Sequence, residues 1–128
     1  MQLSSSKPYL ARAIYEWLVD NELTPHILVA ANYPGTQVPS QFIEDGRIVL
    51  NISPRSVQGL HMGQDMIHFS ARFSGVARNI EVPLAALLGI YARENGQGMF
   101  FDAEEPAPEP ETPQPPAGAG KPGLRLVR

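Results

Sequence analysis

Apolar positions near the start of the chain recur with the period of a helix and then switch to the period of a strand. Leu10, Ala13, Ile14, Trp17 and Leu18 mark one stripe of an amphipathic helix over about residues 8–22. Pro8 suits its first turn, where the missing N–H has no partner to lose. Tyr9, Ala11, Tyr15 and Val19 put apolar groups on other sides of the same helix. One stripe satisfies one core contact, so the surplus implies a second contact surface, such as a matching helix in a dimer.

After Pro25 the pattern turns β-like. His26–Ala31 reads as a strand, and Tyr33-Pro34-Gly35-Thr36 has the Pro and Gly of a type II turn. A short strand is expected near Val38–Phe42. Glu44-Asp45-Gly46-Arg47 signals a tight hairpin, because Asp-Gly accommodates the positive φ of primed turns. It leads into a strand at Arg47–Ile52 with Ile48, Leu50 and Ile52 on one face. Pro54-Arg55 ends that strand, and 58–64 reads as loop. Met66–Phe73 alternates strictly, with Ile67, Phe69, Ala71 and Phe73 opposed to Met66, His68, Ser70 and Arg72. Ser74-Gly75 then turns the chain into Val76–Val82. Pro83–Ala92 is open between a helix, by propensity, and a 3₁₀ turn feeding a strand at about 88–93, since Gly89 weakens a helix. Gly96-Gln97-Gly98 reads as a turn. The elements together predict a mainly β protein, a small barrel or curled sheet with an N-terminal α-helix attached.

Composition divides the chain. Residues 102–128 hold 7 of the 13 prolines and no aromatic residue, so they cannot bury enough apolar surface to offset the entropy of ordering. The expected organisation is a folded unit at 1–101, a disordered Pro/Glu-rich linker at 102–123, and a terminal motif, Leu124-Arg125-Leu126-Val127-Arg128. Three apolar residues interleaved with two arginines at the end of a solvated tether suit a weak docking motif that gains from effective concentration. The absence of cysteine excludes disulfides and thiolate metal sites and fits a reducing, cytoplasmic setting. No apolar run approaches the roughly 20 residues of a membrane span, and the N-terminus lacks the order of a signal peptide.

Candidate chemistry is sparse. His26, His61 and His68 follow no metal-ligand spacing, and Asp45, Asp65 and Glu94 stand apart beside turns. No nucleophile elbow, phosphate loop or dinucleotide fingerprint is present, so neither an enzyme nor a cofactor is expected. Asn51, Ser70, Arg72 and Arg78 are polar residues within strand patterns. They fit either the wet side of a sheet or a groove for an extended chain.

The run Pro8-Tyr9-Leu10-Ala11-Arg12-Ala13-Ile14-Tyr15-Glu16-Trp17-Leu18, followed by Asp20-Asn21 and Leu23-Thr24-Pro25-His26, resembles the opening of the stringent starvation protein B (SspB) family. Ile48–Arg55, Phe69–Gly75, Val82–Ala86 and Ile90–Gly96 resemble it too, and the terminal Leu124–Arg128 looks like that family's protease-binding tail. The resemblance implies a homodimeric, non-enzymatic adaptor of the ClpXP protease with an Sm-like curled barrel. Such an adaptor captures proteins carrying the ssrA degradation tag and tethers them to the zinc-containing N-terminal domain of ClpX. On that footing Tyr9, Arg12, Ala13, Glu16 and Trp17 are the dimer candidates. The tag is expected in a groove lined by Ser70, Ala71, Arg72, Phe73, Ser74 and Gly75, with help from Asn51, Ile52, Pro54 and Arg55. The alternative is RNA binding by an Sm-like barrel, against which 7 basic and 8 acidic residues in 1–101 make a poor phosphate surface.

Overall fold

Pro8 stands in the first turn of the helix α1 (Lys7–Asp20), as its ring geometry favours. The helix ends in a Schellman arrangement. Glu22 takes a left-handed conformation (φ 60°), and the N–H groups of Glu22 and Leu23 donate to the carbonyls of Val19 and Leu18 at 3.0 and 2.9 Å. The computed structural model describes residues 5–102. The expected linker beyond 102 and the motif at 124–128 lie outside the described residues.

Seven strands follow the helix: β1 (Pro25–Ala30), β2 (Arg47–Asn51), β3 (Val57–Met62), β4 (Met66–Phe73), β5 (Val76–Pro83), β6 (Leu87–Ala92) and β7 (Gly98–Phe100). They form two antiparallel sheets, a four-stranded one ordered β2-β1-β6-β7 and a three-stranded one ordered β3-β4-β5. The expected barrel is therefore not closed. No ladder spans Ile52–Ser56 between β2 and β3, and one isolated bridge, Gln37 to Glu81, tacks the loop after β1 onto β5. Both tight hairpin turns are of the primed kind: Asp45-Gly46 and Ser74-Gly75 have positive φ at both positions.

The inner faces of the two sheets meet in one core. Ile27 and Val29 of β1, Leu50 of β2 and Ile90 of β6 oppose Ile67 of β4 and Val82 of β5, all essentially sealed from solvent. Removing each such side chain from water contributes about 1.5–3 kcal/mol. Ala11 and Leu18 of α1 are buried in the same cluster, with Ile14 and Tyr15 packed against it.

Four expectations need correction. Residues 38–42 are not a strand but run into a 3₁₀ turn at Ser40–Phe42. Residues 58–64, read as loop, mostly belong to β3. Gln58 opposes Ser70 but His61 opposes His68, so one extra residue lies on β3. Gly59 takes φ 66° there, and the bulge flips the alternation: Val57 is buried before it, while Leu60 and Met62 pack inward after it. A period-2 reading cannot follow such a flip. The turn expected at 96–98 opens into β7, a strand too short for a periodic signal. Finally, α1 buries Ala11 and Leu18 and leaves Leu10, Ala13 and Trp17 outside, so the expected stripe is rotated toward solvent. Small Ala11 is what permits close approach to the sheet. The segment 83–92 takes the second of its two readings, a 3₁₀ turn at Leu84–Ala86 feeding β6.

Candidate peptide groove and helix face

On β4 the side chains of His68, Ser70 and Arg72 point away from the core, opposite Ile67 and Phe69. Direct register puts Gln58 and Asn79 on either side of Ser70, and Ala77 beside Arg72, so these groups share the outer face. Two adjoining hollows lie along this face. One, of about 220 Å³, is lined by Arg55, Ser56, Val57, Gln58, Ser70, Ala71, Arg72 and Ala77. The other, of about 380 Å³, is lined by Gln58, Gly59, His68, Phe69, Ser70, Asn79, Ile80 and Glu81. Gln58 and Ser70 border both, so the two make one trough across the three-stranded sheet.

The trough is polarised. Arg55 and Arg72 flank its smaller end, where no carboxylate joins the lining, and Glu81 stands at the larger end. Arg72 is held back toward the hairpin, its Nη1 donating to the Gly75 carbonyl at 3.4 Å. Side chains of Gln58, Ser70 and Asn79 supply donors and acceptors between the charged ends. Such a surface suits an extended, acidic, hydrogen-bonding chain better than an apolar ligand.

Of the candidate groove residues, Arg55, Ser70, Ala71 and Arg72 come together here. Ala71 contributes mainly backbone, because its side chain points to the core side with Phe69. Phe73 packs against Phe42, ring centroids 5.7 Å apart, and Ser74-Gly75 form the hairpin turn. Ile52 is fully buried and Pro54 exposed. Asn51 accepts the Ser53 N–H on its Oδ1 at 2.9 Å and lines neither hollow. Sequence reasoning missed Gln58, Asn79 and Glu81, which are unremarkable until strand register sets them beside Ser70.

All five candidate dimer residues lie on the side of α1 turned from the core. Tyr9 is 51% and Trp17 47% exposed, with Ala13 and Glu16 open between them. Arg12 is anchored within the chain: its guanidinium lies 4.8 Å from the Tyr9 ring centre, and its Nη1 donates to the Met62 carbonyl at 3.1 Å. The Gln64 side-chain amide donates to the Tyr9 hydroxyl at 3.1 Å. These contacts fix the helix face relative to the β3–β4 turn.

Among the described residues, no three His, Asp or Glu groups are placed to hold a metal ion, and no helix is long and apolar enough to cross a membrane. The stringent starvation protein B family profile matches residues 5–123. The stringent starvation protein B homolog of Haemophilus influenzae is 48% identical over 116 residues, covering 88% of this chain and 77% of the relative. With that match running through α1, both sheets and the trough, the chain belongs to the stringent starvation protein B family.

Proposed function

We propose that this protein is a non-enzymatic adaptor of the SspB type, which holds ssrA-tagged polypeptides in the outer-face trough and delivers them to ClpX in the cytoplasm. The observation that carries the reading is the trough itself, in which Arg55, from the segment after β2, borders one hollow with Ser70 and Arg72 of β4. A tag bound there is extended, with an acidic residue toward the two arginines and main-chain groups against Gln58, Ser70 and Asn79. In this reading the two sheets are halves of the Sm-like curled barrel, parted at Ile52–Ser56. Residues 1–101 form the tag-binding and dimerisation unit, 102–123 a tether, and 124–128 the ClpX-binding motif. The open side of α1 supports a two-fold helix contact, in which small Ala13 lets the partner's helix approach.

A fluorescent ssrA peptide and a single-stranded RNA, titrated at matched salt into the full chain, test the groove. The peptide is expected to bind and the RNA not. Ser70→Tyr, a bulky but strand-compatible change at the residue shared by both hollows, is expected to weaken the peptide by more than about tenfold, or 1.4 kcal/mol. Arg72→Glu is expected to weaken it too, less so at high salt. Unchanged peptide affinity in correctly folded Ser70→Tyr would move the site off this face, and RNA binding lost in Arg72→Glu would favour the nucleic-acid reading.

A further inference from the structure

His61 and His68 lie seven residues apart in sequence, a spacing that matches no helical ligand pair. The β3–β4 hairpin makes them direct register partners. Both are exposed, and both project from the outer face, because the bulge between Gln58 and His61 turns His61 outward. Their ring centroids are 5.1 Å apart with planes inclined at 31°. Two imidazoles bound through nitrogen to one tetrahedral ion at about 2.0–2.1 Å have centroids roughly 5 Å apart. The rings therefore already stand at the separation that a shared ion requires, on two strands whose ladder fixes their backbones. Glu81 is the register partner of His68 on the third strand and so lies in the same row.

We propose that His61 and His68 form a two-imidazole site for a divalent transition-metal ion on the outer face of the β3–β4 hairpin. Imidazole and water select nickel, copper or zinc over magnesium and calcium. The protein supplies two ligands and water completes the sphere, in keeping with the lack of any three-residue cluster among the described residues. A bound ion clips β3 to β4 just past the bulge, where the ladder is interrupted. It also sits beside the larger hollow, which His68 helps to line. The site does not depend on what the trough binds.

The test is calorimetric titration of the full chain, free of added histidines, with zinc, nickel and magnesium chlorides. One zinc or nickel ion per chain is expected to bind with a dissociation constant on the order of 10–100 µM, and magnesium not at all. His61→Asn and His68→Asn change exposed strand positions and are expected to keep the fold, checked by circular dichroism. Each is expected to lower affinity by roughly tenfold or more. In the unsubstituted protein, zinc is expected to shift the ring-proton NMR signals of both histidines together. Affinity unchanged from the unsubstituted protein in either variant, a shift of one ring alone, or no binding below about 1 mM would overturn the site.

Discussion

Glu94, just past the end of β6, receives two hydrogen bonds from one residue. The Thr24 N–H donates to Oε1 at 2.9 Å and the Thr24 hydroxyl to Oε2 at 2.7 Å. These bonds hold its carboxyl down from 4.5 to about 2, the hydroxyl contributing most. Together with the Arg93 N–H on the Thr24 carbonyl at 2.9 Å, they clasp the end of β6 to the start of β1. A carboxyl whose folded pKa is depressed stabilises fully above its ordinary value, and that stability is lost as pH falls through the folded one. His26 is lowered by burial and then by Arg93, with Glu94 opposing, so it too resists protonation in the folded protein. Stability is thus expected to decline in two stages on acidification, first below the ordinary histidine value of 6.5 and again between 4.5 and about 2. Urea midpoints measured across that range are expected to show the lower stage reduced in Glu94→Gln. An unchanged lower stage would assign it to other carboxylates.

At the scale of elements, the helix carries the next prediction. Ala13 is exposed between Tyr9, Glu16 and Trp17, so Ala13→Glu leaves the chain's own core untouched. In the proposed two-fold contact it would set a carboxylate beside its mate, and light scattering at micromolar concentration is expected to report monomers with unaltered β signal. Persistent dimers would place the interface elsewhere. The helix also shows where sequence reading stops. Its existence was legible from period and from Pro8, but its rotation was not, because Leu10 and Trp17 are apolar yet turned to solvent. Strands β2 and β4 were legible because each keeps one parity throughout. β3 was not, because the Gly59 bulge switches parity midway. β7 was not, because its meaning lies in packing: a Cβ on Gly89 would come within 2.5 Å of the Phe100 ring, which stacks on Tyr91 at 5.4 Å. For the site, Ser70 and Arg72 were visible as polar residues in a strand pattern, and Arg55 only through the family resemblance. Their trough neighbours Gln58 and Asn79 gain meaning only from cross-strand register.

For the whole molecule, the adaptor reading separates capture from delivery. Removing 124–128 is expected to leave tag affinity unchanged while abolishing stimulated degradation of a tagged substrate at low concentration, since in that reading each short motif would bind weakly and two per dimer would act by avidity. Degradation undiminished by the truncation, followed with purified ClpXP, would end the tether model. The parting of the sheets at Ile52–Ser56 bears on what happens when a captured chain is pulled away. The trough lies on the three-stranded sheet and on Arg55 and Ser56 at the edge of the parting, whereas α1 rests chiefly on the four-stranded one. Tension on a peptide held as proposed would load one ladder directly. It reaches the other through the backbone crossings at 52–56 and 84–86, apolar side chains, the Gln37–Glu81 bridge and hydrogen bonds such as Arg12 to Met62. In the proposed adaptor the pull would thus be felt first by the holding sheet and only then, across the two crossings and the Arg12–Met62 bond, by the helix and any dimer built on it.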